Sequence, residues 1–198
     1  MSNQLLPLFL FALAGAITPG PNNMISAGSG AAFGFRRTLP QIWGVTFGFF
    51  VMLMAIGMGL GTLFMAIPYM HVTLKVVGSA YLLFLAWKIA NADGPGGGTA
   101  VEQPMTVLQS ALFQWVNPKG WAFALSLIPA FTTVGGEHLF AEVLLLGLVT
   151  GLVTFPSLCL WAGFGVLLAR FMSSPRQRRM VNYAMAALVA GSVLMLFV

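Results

Sequence analysis

The sequence is poor in charge. Only 7% of its 198 residues are Asp, Glu, Lys or Arg, where a soluble domain carries about 25%. A water-soluble globule is excluded on that ground. Acids are the scarcest group: Asp93, Glu102, Glu137 and Glu142 are the full set. None lies near the middle of a long apolar run, Glu137 and Glu142 falling near an outer end, so no buried acid is expected to pair a cationic ligand or carry a proton. The single cysteine, Cys159, excludes an internal disulfide and a thiol redox pair. With only His71 and His138 besides, no His-rich or acidic tract exists for a metal, and no metal or cofactor site is expected. Residues 2–18 hold no Lys or Arg, so the charged start of a secretory leader is missing and the segment reads as a first helix.

What the chain has instead is apolar length. Hydrophobic residues make up 59%, and the mean hydropathy is +0.91. Leu39 to Tyr69 and Val181 to Val198 contain no charge, and such runs reach the ~18–20 residues needed to cross a bilayer. Hydropathy gives six segments, roughly 4–34, 40–67, 71–90, 106–132, 139–169 and 179–198. The predicted class is an all-α integral membrane protein of six transmembrane helices. Asn91 to Met105, with its Gly-Pro-Gly-Gly-Gly core, is the one flexible linker. It divides the chain into a first three-helix repeat (1–92), a cytoplasmic linker (93–105) and a second three-helix repeat (106–198).

The net charge of +5 is an orientation signal rather than a nucleic-acid footprint. Arg36, Arg37, Lys88, Arg170, Arg176, Arg178 and Arg179 fall in connections on one side, and only Lys75 on the other. The positive-inside bias makes the first side cytoplasmic and puts both termini outside.

Two of the segments are interrupted at matching places. Thr18-Pro19-Gly20-Pro21-Asn22-Asn23 breaks the first and Asn117-Pro118-Lys119-Gly120 the fourth. Other matches follow in order: Gly44 and Gly48 with Gly147 and Gly151, Gly57 and Gly59 with Gly163 and Gly165, and Gly78-Ser79 with Gly191-Ser192. With three spans in each half, the second half is inverted relative to the first, and spans 1 and 4 are broken near the midplane. The small-residue pairs also have a plain packing role, since glycines let helices approach closely in lipid.

Irregular backbone at bilayer depth is tolerated only inside protein or beside a wet cavity, and paired breaks in corresponding halves mark a transporter's binding site. Proline removes a backbone donor and suits the first position of a restarted helix. The restarted halves then aim positive ends, and the stopped halves carbonyl ends, at one place. A zwitterion suits such a site. Its carboxylate is expected at the N-terminal ends and Lys119, and its ammonium at the carbonyls of Ala14 to Thr18. Lys119 is the one charge near the centre of a span, at an insertion cost of roughly 2.5–3.5 kcal/mol. The expected substrate-binding set is Thr18, Pro19, Gly20, Pro21, Asn22, Asn23, Gln114, Asn117, Pro118 and Lys119.

These residues carry a resemblance. The Thr18–Asn23 motif, Gly34-Phe35-Arg36-Arg37, Ala80–Lys88 and Phe113–Lys119 are similar in order and content to the LysE/RhtB family of bacterial amino-acid exporters. The Pro-Gly-Pro-Asn-Asn version resembles the cysteine/O-acetylserine branch. The resemblance implies a secondary transporter, not an enzyme, that exports small neutral amino acids across the inner membrane by alternating access driven by protons. Its expected partners are the amino acid, the lipid bilayer, protons and a second copy of the chain. A membrane assembly subunit without transport, or an exporter of another small metabolite, is the competing reading.

Overall fold

The computed structural model describes residues 4–67, 69–91, 103–133, 135–171 and 174–194, and every regular element among them is helical. Most of the linker, and with it the proposed boundary between halves, lies outside the described residues. The chain starts with α1 (Leu5–Ile17) and α2 (Pro21–Phe33), which meet at 56° across the first break. Next come α3 (Phe35–Ala55), a π-helical turn (Ile56–Leu60), α4 (Gly61–Ala66) and α5 (Met70–Ala90). Then α6 (Val107–Phe113), a 3₁₀ turn (Gln114–Val116) and α7 (Pro118–Phe131) form the second broken pair. The long α8 (Leu139–Phe171) and α9 (Pro175–Leu194) end the chain.

Two helical stretches are long and apolar enough to span alone, Phe35–Leu60 and Leu139–Phe171, with a third if the bent α1–α2 pair is counted as one. Among the described residues this is fewer than the six segments read from hydropathy. The chain between spans is also shorter than expected. Gly34 alone separates α2 from α3, and it turns the chain at φ 82°, where a side chain would be strained. Arg36 and Arg37 therefore sit in the first turn of α3, and Arg176, Arg178 and Arg179 in the first five residues of α9, rather than in loops. The second segment is not one α-helix either, because Gly59 at φ 127° interrupts it. By contrast, α8 runs on through Pro156.

In lipid, apolarity does not draw helices together, so close backbone approach must. Gly30 of α2 lies against the Ala162 backbone of α8, and Gly165 of α8 against the Ala27 backbone of α2. Gly44 and Gly48 of α3 meet Val107, Ser110 and Ala111 of α6 in the same manner. Gly147 and Gly151 of α8 instead face Phe50 and Thr46 of α3, so the glycine matches read from sequence are not equivalent contacts. Between these crossings lie three apolar cores. Phe49, Met52, Trp121, Leu127 and Leu146 centre the first, Met24, Leu82 and Val189 the second, and Ile42, Val45 and Leu158 the third. Large apolar side chains also point outward, Leu152 at 76%, Leu160 at 66% and Phe47 at 61% exposed. A surface of that kind needs lipid against it.

Candidate functional site

The two breaks meet. At the first, α1 stops because Thr18 leaves helical conformation (ψ 129°) and Pro19 has no N–H to continue the ladder. The next helix restarts with Pro21 at its first position after an extended Gly20. At the second break a 3₁₀ turn tightens the end of α6, Asn117 is extended (φ −84°, ψ 103°), and Pro118 opens α7. Pro118 packs on α5, where a Cβ at Gly78 would come within 2.9 Å of its ring.

Side chains tie the breaks to each other. The amides of Asn22 and Gln114 pair reciprocally, Asn22 Nδ2 donating to Gln114 Oε1 at 2.8 Å and Gln114 Nε2 to Asn22 Oδ1 at 3.2 Å. Lys119 Nζ donates to the Thr18 carbonyl at 2.7 Å. The lysine reaches it by passing over Gly20, where an added Cβ would sit 2.8 Å from its Cδ and 2.9 Å from its Nζ. Gly20 is thus required by close approach.

The carbonyl end of α1 is largely occupied by the protein's own donors. Ala14 accepts from the Thr18 N–H and hydroxyl, Ala16 and Thr18 accept from Asn23 Nδ2 at 3.0 and 2.9 Å, and Ile17 from Trp161 Nε1 at 3.3 Å. This narrows the expectation that a ligand's ammonium meets carbonyls throughout Ala14 to Thr18. The exception is Gly15. The residue four positions on is Pro19, which has no N–H to give, so the Gly15 carbonyl finds no donor among the described residues.

The positive ends are open. Neither Gly20 nor Asn117 caps its helix with a side chain, and the first ladder bonds are Met24 N–H to Gly20 and Trp121 N–H to Asn117. The N–H groups of Asn22 and Asn23, and of Lys119 and Gly120, are therefore without partners, as at any uncapped helix start. Each end also carries about half a positive charge from the helix dipole.

A cavity of about 60 Å³ lies among these groups. That is room for several waters. Of the expected set, Gly20, Pro21, Asn22, Asn23, Gln114, Asn117 and Lys119 line it, while Thr18, Pro19 and Pro118 do not. Asn117 is 2% exposed and its Oδ1 has no partner. The remaining wall comes from residues the sequence reading did not single out: Val45, Phe49, Phe123 and Leu158 are apolar, and Thr154 of α8 is polar. Phe123 stacks on Phe11 and lies over Gly15, whose missing side chain makes room for its ring. No acid lines the cavity, so it offers a cationic side chain no counter-charge.

Comparison with known proteins agrees with this geometry in kind. The model of the LysE type translocator family matches residues 13–197. Curated relatives named cysteine/O-acetylserine efflux protein, from Escherichia coli strain K12 and from Shigella sonnei strain Ss046, are each 29% identical over 199 aligned residues, covering all of both chains. No solved structure matches.

Proposed function

The chain belongs to the LysE-type translocator family, and we propose from that premise that it exports small neutral amino acids of the cysteine and O-acetylserine type. It is a membrane translocator and not an enzyme. The names of the curated relatives support the substrate class. One observation carries the site assignment: unpaired amide N–H groups of two helix starts and the unpaired Gly15 carbonyl border the same small cavity. The substrate carboxylate sits at the Asn22, Asn23, Lys119 and Gly120 amides and accepts a hydrogen bond from a second N–H of the Lys119 ammonium. The substrate ammonium sits at the Gly15 carbonyl and the Asn117 amide, whose two ends a half-turn of χ2 exchanges without change of shape. Thr18 and Pro19 set the geometry of the first break, and Pro118 that of the second.

Six spans arranged as two inverted three-helix repeats, with the linker as their joint and both termini outside the inner membrane, complete the reading. The helix pairings support it. Exchanging the halves turns the α1–α8 contact into the α6–α3 contact and leaves α3–α8 and α5–α9 in place, and all four pairs pack together, while the extensive α2–α8 contact has no equal in α7–α3. Alternating access then proceeds around the two breaks. Protons are the proposed driving ion.

Purified protein in liposomes preloaded with cysteine or serine tests this by counterflow of labelled substrate. Uptake that is competed by O-acetylserine, cysteine and serine but not by lysine or arginine is expected. Exchange of lysine alone, or of no amino acid, overturns the proposal.

A further inference from the structure

We propose that Thr154 reads the substrate's side chain, recognising a single neutral hydrogen-bonding atom close to the amino-acid backbone. This rests on the export reading above and adds to it the group that sets specificity. Hydroxyl side chains inside helices ordinarily bond back to the preceding turn. Four on the helices that wall the cavity do so, whereas Ser110 Oγ is sealed in the helix packing without a partner among the described residues. Thr150 Oγ1 bonds the Leu146 carbonyl at 2.8 Å, Ser157 Oγ that of Val153 at 2.8 Å, Thr46 that of Ile42 at 2.9 Å and Ser126 that of Ala122 at 2.8 Å. Thr154 lies on the same side of α8, between Thr150 and Ser157, and makes no hydrogen bond to any described residue. It lines the cavity, partly buried, with a hydroxyl that is not closed off from it.

Its surroundings narrow the ligand. Val45, Phe49, Phe123 and Leu158 make the rest of that wall apolar. The groups proposed to hold the substrate backbone all come from the two broken pairs, which leaves Thr154 as the polar side chain for the remainder of the molecule. A hydroxyl both donates and accepts, so it serves a thiol, an alcohol or an ester carbonyl equally. It offers nothing to a methyl group and cannot neutralise a charge. The class it selects is an amino acid with a thiol, hydroxyl or short ester on its side chain, in preference to alanine or valine.

Thr154→Val keeps shape and removes the hydroxyl, and Thr154→Ser keeps the hydroxyl. Each variant and the natural protein, purified and reconstituted, is assayed with cysteine, serine, O-acetylserine and alanine as labelled probes. Thr154→Val is expected to lose roughly three- to tenfold in transport efficiency for the first three relative to alanine, and Thr154→Ser to retain the natural ranking. Equal losses for all four probes in Thr154→Val, or no change, overturn the assignment while leaving export intact. If the natural protein moves none of the four, the export reading fails and takes this inference with it.

Discussion

Lys119→Met separates the structural from the functional work of the one cation at the breaks. The lysine gives the fold one charge-assisted hydrogen bond, to the Thr18 carbonyl at 2.7 Å, worth about 1.5–3 kcal/mol. Its removal does not orphan that carbonyl, because Asn23 Nδ2 still donates to it at 2.9 Å. The substitution also relieves the roughly 2.5–3.5 kcal/mol that a lysine costs at bilayer depth. The two effects nearly cancel, so membrane levels and thermal stability are expected to stay within about 1–2 kcal/mol of the natural protein. Transport has no such offset. Loss of the ammonium from the carboxylate site removes a charged hydrogen bond of about 1.5–3 kcal/mol, which weakens substrate binding by roughly 10- to 150-fold. Counterflow in liposomes reads this as a raised KM, and a melting curve of the detergent-purified protein reads stability. An unchanged KM would refute the carboxylate assignment. A variant that fails to fold would instead make Lys119 a structural tie and refute the cancellation.

The pairing of Asn22 with Gln114 should appear as coupling between the two breaks: each single alanine variant loses about 1–3 kcal/mol of stability by leaving its partner unpaired, and the double variant loses less than the sum. Simple additivity in melting experiments would mean the bridge is not made. Gly165→Val drives a side chain into the Ala27 carbonyl of α2, so it should cost at least about 1–3 kcal/mol and show as reduced yield of folded protein; full yield would contradict the α2–α8 crossing. Pro19→Ala introduces an N–H beside the Gly15 carbonyl and should raise KM without loss of protein. A KM at the natural value would free the ammonium site from that carbonyl. Reporter fusions at Gly96 and Gly136 should score cytoplasmic and external, and the reverse pattern would invert the proposed orientation.

The class and both breaks were legible in the sequence for a simple reason. Proline carries no N–H, and where prolines cluster with glycine and asparagine, as at Pro19-Gly20-Pro21 and Asn117-Pro118, a helix stops and restarts, although the isolated Pro156 does not stop α8. Charge is too rare here for a soluble fold. The meeting of the breaks followed from repeat logic, but the ties between them did not. That Lys119 reaches Thr18, or that Asn22 pairs with Gln114, depends on how the helices cross. The apolar half of the cavity was invisible for a different reason. In a chain that is 59% hydrophobic, Phe49 and Leu158 do not stand out from residues that face lipid, and periodicity has no polar face to contrast with. Thr154 was hidden among other helical hydroxyls, because only the helix crossings show that it lines the cavity while its neighbours Thr150 and Ser157 bond back. The turn at Gly59 left no mark beyond a glycine among 23.

The ties also constrain how a site of this kind can work. The carbonyl end of α1 is held by Lys119 of α7 and by Trp161 of α8, and the start of α2 is held by Gln114 just after α6. Neither break can shift alone without breaking bonds to the other. An ammonium has three donors, and the structure commits one of Lys119's to the protein, at Thr18. A carboxylate arriving at the α2 start can therefore take a second donor while the tie to Thr18 stays made. In the proposed cycle the substrate adds bonds across the two breaks instead of replacing those already there. Loading then makes the broken helices a single unit, and the motion that exposes the cavity to the other side must occur in the helices around that unit, at the glycine crossings of α2 on α8 and α3 on α6.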